Sequence, residues 1–200
     1  MYRKYILMAF ILSPILGWAN MGPQGFHQFN VNKIFVETGT FCGDSVQKAL
    51  DAGFKHVYSL EINPKEHMIS RKRFARQRNV HLFLKDSSYQ LWDVISSIHE
   101  PITFWLDAHN GFPDPNAVGV SNTALMGELE QIKRHPIKNH IILIDDLHCC
   151  DTLLFDYLSL QDIVDKIMEI NPEYNITFVD GGNDGEYADN ILVAYIEENE

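Results

Sequence analysis

A carboxylate stands at the end of each of five successive short apolar segments of the sequence. These residues are Glu37, Glu61, Asp86, Asp107 and Asp145. If the segments are parallel strands of one open sheet, their carboxyl ends meet at the edge where such sheets bind ligands. Acidic residues also begin turns and cap helices, which explains one or two of the five but not readily all of them. The pattern therefore predicts an acidic binding site for a ligand that carries positive charge or hydroxyl groups.

The turn after the first of these segments combines its acid with two glycines. It runs from Glu37 to Ser45 and reads Glu-Thr-Gly-Thr-Phe-Cys-Gly-Asp-Ser. A dinucleotide-binding turn would need glycines at positions 37, 39 and 42, and only Gly39 is present, which disfavours a nicotinamide cofactor. Gly39 allows close approach of the backbone, and Gly43 permits a tight entry into a helix. The carboxylate at the mouth of the turn favours a cationic cofactor.

A second acidic group follows the fourth and fifth segments. Asp107 ends one segment and the pair Asp145–Asp146 ends the next, so the three side chains are expected at one edge. Three close carboxylates repel one another unless a cation or a proton lies between them, and oxygen ligands suit Mg²⁺ or Ca²⁺. The alternative is a set of solvated turn acids. His109 and His148 follow the two motifs, each either a general base or a loop histidine without a catalytic role.

The elements that position these residues alternate along the chain from Lys33 onward. Continuous apolar runs predict strands that are buried on both faces. They are Ile34–Val36, Val57–Leu60, Val80–Leu84, Ile102–Leu106, Ile141–Ile144, Ile176–Val179 and Ile191–Tyr195. Amphipathic helical patterns separate the first six, which predicts right-handed βαβ units and a parallel sheet. The last two runs leave no room for a crossover helix, so we expect them to form an antiparallel hairpin.

Capping signals mark where several of the helices begin. Asn63 precedes a proline at the first helical position, and Ser159 with Asp162 forms the pattern of a capping box. Leu125, Leu129 and Ile132 recur at helical spacing and predict a further helix. A long loop rich in glycine, proline and asparagine, residues 110–122, precedes that helix.

The N-terminus has the pattern of a secretory signal peptide. Arg3 and Lys4 precede an uncharged run over residues 5–18, and small residues stand at Gly17 and Ala19. The run is shorter than the ~20 apolar residues that span a bilayer, so no stable membrane span is predicted. We expect a signal peptide over 1–19, an extension over 20–32, a folded domain over 33–200, and export of the protein. The alternatives are a first helix that packs on the domain, or a false start codon with Met21 as the true one, and a cytoplasmic protein is expected if the segment is not a true signal.

The composition fits one globular domain. The chain has 200 residues, 46% of them hydrophobic and 22% charged, with three cysteines and a formal net charge of −11. The negative charge disfavours a general nucleic-acid binder, since no basic field attracts a phosphate backbone. Three unevenly placed cysteines do not make a disulfide framework. The oligomeric state is not predicted.

Taken as a series, the motifs resemble those of class I S-adenosylmethionine-dependent methyltransferases. They are Glu37–Gly43, Ser59–Glu61, Lys85–Ser87 and Trp105–His109. The resemblance implies an α/β, doubly wound, seven-stranded sheet of order 3-2-1-4-5-7-6, with strand 7 antiparallel and helices on both faces. It implies that the first turn faces the methionine part of S-adenosylmethionine, that Glu61 holds the ribose, and that Asp86 with Ser87 faces the adenine. The implied cofactor-binding residues are Glu37, Gly39, Thr40, Gly43, Asp44, Ser45, Glu61, Ile62, Asp86, Ser87 and Asp107.

The acids after strands four and five are similar to those of metal-dependent O-methyltransferases of the catechol and macrolide-sugar type. That likeness implies a metal held by Asp107, Asp145 and Asp146, with Asp107, His109 and His148 as catalytic candidates. The expected activity is O-methylation of a small hydroxylated molecule, assisted by a divalent cation that lowers the pKa of the bound hydroxyl. Two alternatives stay open: an exported, non-catalytic ligand-binding protein on the same fold and, less favoured, a nicotinamide-dependent oxidoreductase. Export conflicts with the cytosolic origin of S-adenosylmethionine, and sequence alone does not resolve the conflict.

Overall fold

A seven-stranded sheet forms the centre of the computed structural model, which describes residues 25–109, 119, 121–181 and 187–197. The strands are β1 (Ile34–Thr38), β2 (His56–Glu61), β3 (Val80–Leu84), β4 (Ile102–Leu106), β5 (Ile141–Ile144), β6 (Asn175–Gly181) and β7 (Tyr187–Tyr195). Their order is 3-2-1-4-5-7-6. Strands β1 to β5 pair in parallel, and β7 is antiparallel to both β5 and β6. The predicted strands, their order and the final hairpin are therefore confirmed.

Successive strand residues point to opposite faces of the sheet and so supply two separate cores. Phe104 and Leu106 belong to one core and Trp105 to the other. All five residues of β1 and of β4 are buried, because these strands lie in the middle of the sheet with both faces covered. This explains why the central strands read as continuous apolar runs rather than as alternating ones.

Helices cover both faces of the sheet, as predicted. They are α1 (Asp44–Asp51), α2 (Pro64–Arg73), α3 (Ser87–Gln90), α4 (Trp92–Ile95), α5 (Leu125–Arg134) and α6 (Leu160–Ile170). One core contains Val46 and Ala49 of α1, while the other contains Leu129 of α5 and Ile163 of α6. Three short 3-10 helices complete the described elements, at Gly25–Phe29, Leu147–Cys149 and Leu153–Phe155.

The predicted helix starts are confirmed at the level of single hydrogen bonds. The Asn63 side chain accepts a hydrogen bond from the Lys65 amide at the start of α2. Ser159 and Asp162 form the reciprocal capping box of α6. The short helices α3 and α4 were not predicted, because four-residue helices carry too few turns to show a periodic pattern.

Part of the segment that was assigned to an N-terminal extension belongs to the packed domain. Phe26 and Phe29 of the first 3-10 helix are buried, and the Phe26 ring makes edge contacts with Phe35 and Trp105. The Thr103 hydroxyl donates a hydrogen bond to the Phe29 carbonyl at 2.9 Å. Residues 25–32 therefore cover one face of β1 and β4. The predicted signal peptide over 1–19 lies outside the described residues.

Two predicted loops also lie largely outside the described residues, namely positions 110–118 and 120 of the long loop and the hairpin turn at 182–186. Among the helices that are described, none combines the length and apolar character needed to cross a bilayer. The three cysteines are free thiols.

A buried histidine pair lies at the amino ends of β4 and β5, and we call it the histidine end of the sheet. The Ile102 amide donates to His140 Nδ1 at 3.1 Å, and His140 Nε2 lies 3.1 Å from His135 Nδ1. His135 Nε2 in turn lies 3.0 Å from the Ile98 carbonyl oxygen. This network assigns a proton to Nε2 of both rings, so each ring is neutral and every ring nitrogen has a partner. Burial first, and then the neighbouring His135, lowers the pKa of His140 to about 3.

Candidate functional site

Acidic side chains gather at the carboxyl ends of strands β1 to β5. The backbone ladder continues past the strands there, since Asp107 N donates to the Thr38 carbonyl and Asp145 N to the Leu106 carbonyl, both at 3.2 Å. Lys85 N likewise donates to the Glu61 carbonyl at 3.0 Å. These bonds align the strand exits, so the acids predicted from the sequence lie along one edge. We call this edge, with its acids and Glu128 of α5, the acid end of the sheet.

Glu37 is the most deeply buried acid of this edge and its hydrogen bonding is incomplete. It is 0% exposed, and its Oε2 accepts a hydrogen bond of 2.5 Å from the Ser59 hydroxyl, which lies 2.5 Å from the Thr40 hydroxyl. Oε1 has no hydrogen-bond partner among the residues that the structure describes. Burial raises the pKa of Glu37 to about 8, against the lowering effects of Ser59 and then Ser45. A buried carboxyl with an unpaired oxygen suits a cationic ligand group.

The glycine turn brings backbone unusually close to the end of β4. Gly39 has φ +82°, and a Cβ at this position would lie 2.5 Å from the Asp107 carbonyl oxygen. Gly43 has φ +85° at the start of α1, where a Cβ would lie 2.5 Å from the Phe74 ring. Side chains at either position would clash, so both glycines are structurally required. Phe41 between them also adopts a positive φ of 47° and is exposed.

Glu61 is held by backbone amides from two sides. Its Oε2 accepts from Phe41 N and its Oε1 from Asn63 N, each at 2.7 Å. Burial is the main cause that raises its pKa, and these amide bonds act in the opposite direction. Each carboxylate oxygen has two lone pairs, so the fixed group keeps capacity to accept hydrogen bonds from ligand hydroxyls.

Ile62 and Asp86 lie together beside Glu61. A Cβ built on Gly119 would be 3.6 Å from Ile62 Cδ1 and 3.7 Å from Asp86 Oδ2. Asp86 caps α3, and its Oδ1 accepts from the Ser88 amide at 2.9 Å and from the Ser88 hydroxyl at 2.5 Å. We call residues 86–92 the Asp86 turn. The ends of β2 and β3 thus bring together an acid for hydroxyl groups, an apolar side chain and a second acid.

Two residues that were predicted to bind the cofactor have other partners here. The Ser87 hydroxyl is buried and donates to Glu128 Oε1 at 2.5 Å, so it turns away from the acidic edge toward α5. Asp44 is exposed and accepts from Arg73 Nη1 at 2.6 Å, which is the main cause that lowers its pKa. Ser45 faces Glu37.

Glu128 is a buried acid of this region that the sequence analysis did not single out. It is 1% exposed on α5 and lines a small cavity with Asp107, His109 and Thr123. Burial raises its pKa to about 7, against the hydrogen bond from Ser87. A signal was available, because Glu128 stands next to Leu129 on the apolar face of an amphipathic helix, where a charged residue is rarely buried without a role.

The structure groups Asp107 and Asp146 with His109 rather than with Asp145. His109 Nδ1 lies 3.7 Å from Asp107 Oδ1, and His109 Nε2 lies 3.4 Å from Asp146 Oδ2. One donor atom from each of these three residues falls within 4.8 Å of the others, as in a metal site. Asp145 contributes no atom to this group, and its Oδ1 instead accepts from Asp146 N at 2.8 Å. The left-handed φ of 60° at Asp146 accompanies this arrangement.

Burial and mutual repulsion keep protons on this part of the edge. Burial raises the pKa of Asp107 well above its ordinary value, and the charges of Asp145 and Asp146 raise it further. The pKa of Asp145 rises to about 7, mainly through burial. Burial also lowers the pKa of His109, so its ring is neutral at pH 7 and a nitrogen lone pair is available. A bound cation would relieve the repulsion among these carboxylates, so the donor set fits a divalent metal.

His148 is positioned by Asn190, a buried residue of β7 that was not predicted. Asn190 Oδ1 lies 2.8 Å from His148 Nδ1 and 2.9 Å from His148 N, while Asn190 Nδ2 lies 3.4 Å from Asp146 Oδ1. Because Oδ1 only accepts, His148 donates from Nδ1, and its Nε2 lies 3.5 Å from Cys149 Sγ. His148 is exposed at the acid end, a position suited to accepting a proton.

No protein-family model matches the sequence, and the search of curated proteins found no match. Solved structures do share the fold. An O-methyltransferase from Bacillus cereus in complex with S-adenosylhomocysteine is 16% identical, with a TM-score of 0.59 over 88% of this chain and 79% of that one. A proposed caffeoyl-CoA O-methyltransferase from Staphylococcus aureus is 14% identical, with a TM-score of 0.57 over 92% and 86% of the two chains.

An rRNA methylase from Streptococcus thermophilus is also similar in structure. It is 13% identical, with a TM-score of 0.51 over 88% of this chain and 95% of that one. Because these proteins differ in the substrates that their names give, the shared architecture does not identify a methyl acceptor. The strand order and these likenesses together show that the chain has the fold of the class I S-adenosylmethionine-dependent methyltransferases.

Proposed function

We propose that the protein is an S-adenosylmethionine-dependent methyltransferase that methylates a hydroxyl group of a small molecule. The observation that carries the proposal is the buried Glu37 carboxyl, whose Oε1 is unpaired beside the close backbone approach at Gly39. A cationic cofactor would satisfy that oxygen, whereas the pyrophosphate of a nicotinamide dinucleotide would meet a ring of acids. The formal net charge of −11 further favours a small acceptor over a nucleic acid.

The acid end supplies a separate group for each part of the cofactor. Glu37 would face the positively charged methionine portion, Glu61 the ribose hydroxyls, and Asp86 with Ile62 the adenine. The backbone amides on Glu61 fix its orientation before any ligand binds, which lowers the entropic cost of binding. When bound, S-adenosylmethionine supplies a methyl group on a positively charged sulfur.

The remaining groups of the edge act on the acceptor. Methyl transfer to an acceptor oxygen would require the acceptor hydroxyl to lose its proton to a nearby base. His148, whose ring Asn190 orients at the acid end, is the base that we propose for this proton. The acceptor would lie near the small cavity that Asp107, His109, Glu128 and Phe155 line.

We propose that a divalent cation assists by binding Asp107, His109 and Asp146. The closeness of their donor atoms supports this set, and the neutral form of His109 makes a ring nitrogen available. This set has one nitrogen and two carboxylate oxygens, and such a mixed set suits Mn²⁺ or Zn²⁺. The set expected from the sequence contains only oxygen ligands and would suit Mg²⁺ better. Such a cation would lower the pKa of a bound acceptor hydroxyl.

Calorimetric titration of the metal-free protein with Mg²⁺, Mn²⁺ and Zn²⁺ tests this donor set. We expect His109→Ala to weaken Mn²⁺ binding at least tenfold. The matched control is Asp145→Asn, which removes a neighbouring carboxylate outside the group and should leave Mn²⁺ affinity within about threefold. If Mn²⁺ binding instead requires Asp145 and not His109, the result would support the all-oxygen set. If none of the three ions binds, the proposal of a metal site would be refuted.

Calorimetric titration with S-adenosylmethionine tests the cofactor proposal directly. We expect binding in the micromolar range by the wild-type chain, and absence of heat at millimolar ligand, with and without divalent cation, would refute it. Mass spectrometry of small hydroxylated compounds incubated with protein and cofactor then detects a mass gain of one methylene group. Tight binding without transfer to any acceptor would favour the alternative, a non-catalytic ligand-binding protein.

We propose, from the sequence of residues 1–19, that the chain is exported. The charged start, the apolar run and the small residues before position 20 support this. Sequencing the N-terminus of protein recovered from the native cells tests it, with Asn20 as the expected first residue. A chain that begins at Met1 in the cytosolic fraction would place the protein beside its cofactor instead.

A further inference from the structure

Helix α5 holds the Asp86 turn through a buried glutamine. Gln131 is 5% exposed, and its Oε1 accepts from Trp92 N at 2.8 Å. Its Nε2 lies within hydrogen-bond distance of the carbonyl oxygens of Ser87 at 2.8 Å, Gly127 at 2.9 Å and Ser88 at 3.0 Å. One side-chain amide therefore contacts the start of α3 and the start of α4.

Two further residues of α5 near Gln131 also contact the Asp86 turn. A Cβ on Gly127 would lie 2.1 Å from the Ser88 carbonyl oxygen, so only glycine permits this approach of the helix to the turn. Glu128, one residue later, accepts the Ser87 hydroxyl at 2.5 Å. Gly127, Glu128 and Gln131 thus form a clamp on the backbone and side chains of the turn, and we call them the α5 clamp.

The clamp leaves Asp86 oriented toward the acidic edge. Asp86 Oδ1 is occupied by the amide and the hydroxyl of Ser88, whose carbonyl oxygen is itself held by Gln131. Asp86 Oδ2 has no hydrogen bond with the described part of the chain and lies in the neighbourhood of Ile62. The orientation of Asp86 Oδ2 is therefore set by contacts on the opposite side of the turn.

A buried amide side chain at position 131 is not explained by packing alone. Leu129 and Ile132, on either side of Gln131, are fully buried apolar residues of the same helix. Burying an amide is unfavourable unless it is hydrogen-bonded, whereas another apolar residue would pack without that condition. The polar side chain therefore indicates selection for a defined orientation of the turn.

We propose that the α5 clamp positions Asp86 to recognise the exocyclic amino group of the cofactor's adenine, so that Gln131 is a positioning residue for base specificity. The proposal rests on the proposed function, because it assigns the adenine to the Asp86 region. A carboxylate oxygen only accepts hydrogen bonds, so it favours a purine with a 6-amino group over one with a 6-oxo group. Discrimination of this kind needs a fixed oxygen, because a mobile carboxylate can move away from the unfavourable group.

The test compares two ligands that differ at this one position, S-adenosylhomocysteine and S-inosylhomocysteine, by calorimetry. We expect the wild-type protein to bind the adenosyl ligand at least tenfold more tightly. Asp86→Asn introduces an amide donor that can face the 6-oxo group, and we expect it to reduce that ratio to near one or to invert it. A ratio that Asp86→Asn leaves unchanged would overturn the proposal.

Gln131→Leu then tests the clamp itself. We expect it to weaken adenosyl binding about tenfold while changing inosyl binding less than threefold, so that the preference collapses. Glu130→Gln is the matched control, because it alters the adjacent, exposed residue of α5 and should leave both affinities unchanged. Equal losses for both ligands in Gln131→Leu would show a purely structural role and overturn the proposal.

A milder variant keeps the test decisive if Gln131→Leu does not fold. Ser87→Ala removes only the hydroxyl that donates to Glu128, and we expect it to reduce the preference about threefold. Loss of that bond without any change in preference would count against the clamp. Failure of the wild-type protein to bind either ligand would instead refute the proposed function, so the two failures are distinguishable.

Discussion

The two ends of the central sheet both bury titratable groups, but they satisfy them to very different degrees. At the histidine end, His135 and His140 form a continuous hydrogen-bonded chain between Ile102 and Ile98. At the acid end, Glu37 keeps an unpaired buried oxygen, and Asp107 lies against the charges of Asp145 and Asp146. The first arrangement is complete without a ligand, whereas the second leaves buried acidic groups short of partners among the described residues.

This difference supports the placement of the proposed binding site at the acid end. Groups that stabilise a fold are paired within it, and groups that bind a ligand are left short of partners. The two ends also respond to pH in opposite directions. The His140 pKa of about 3 means that stability is lost as pH falls from 6.5 toward 3, because the unfolded chain binds the proton first. The Glu37 pKa of about 8 means that stability is lost as pH rises from 4.5 toward 8.

The largest expected effect is on stability at the histidine end. His140→Leu leaves the Ile102 amide without its partner and removes one of the two hydrogen bonds to His135 Nδ1, and we expect the free energy of unfolding to fall by about 2–4 kcal/mol. Urea denaturation at pH 7 measures this change. The affinity for S-adenosylmethionine of the folded protein should stay within a factor of about two. A large loss of affinity would contradict the view that the histidine end stabilises the fold and the acid end binds the cofactor.

At the acid end, Glu61→Ala should act mainly on binding. It removes the acceptor that we propose for the ribose hydroxyls, together with the acceptor of Phe41 N and Asn63 N. We therefore expect about 100-fold weaker cofactor binding, or about 2.7 kcal/mol. Calorimetry measures it, with Asp51→Asn as the control because that exposed acid of α1 carries the same charge. Equal weakening by both variants would mean that net charge alone drives binding.

Glu37→Gln sharpens the comparison because it should stabilise the folded protein while weakening its binding of the cofactor. The amide carries no charge to bury, so we expect the free energy of unfolding at pH 8 to rise by about 1–3 kcal/mol. At pH 5 the folded wild-type carboxyl is protonated and the pH lies close to the ordinary pKa of 4.5, so most of the gain should be lost. Denaturation at both pH values, with a cofactor titration that shows about tenfold weaker binding, checks this. A gain that is equal at pH 5 would assign the effect to packing.

The smallest effect is a coupling between protons and cofactor. A cationic ligand favours the ionised form of Glu37, so binding near pH 7 should release up to one proton and affinity should rise by at most about tenfold per pH unit between 6 and 8. Calorimetry in phosphate and Tris buffers, which differ in ionisation heat, measures the released protons. Proton uptake on binding would contradict the proposed contact with Glu37.

Much of the architecture could be predicted because it depends on local patterns. The continuous apolar runs determined the seven strands, and the missing crossover before Ile191 determined the antiparallel hairpin. Asn63 and Ser159 determined helix starts through bonds to residues two or three positions away. The acids at strand ends were also predictable, because parallel strands necessarily end at the same edge of the sheet.

The composition of the site was less predictable, because its partners arrive from distant parts of the chain. Glu128 meets Ser87 across 41 positions and Asn190 meets His148 across 42, and no periodicity in the sequence links such pairs. The candidate metal group also departs from the predicted one. His109 takes the place expected for Asp145, whose carboxylate is committed to the amide of Asp146.

The sequence by itself determined where the strands lie along the chain, the edge at which the acids stand and the glycines that the first turn requires. These follow from side-chain periodicity and backbone sterics, which act over a few residues. Only the tertiary structure decided that burial raises the pKa of Glu37 and leaves one of its oxygens without a partner in the described part of the chain, and that Gln131 of α5 holds the Asp86 turn. Burial and long-range hydrogen bonding set protonation and orientation, and both arise only when separate elements pack together.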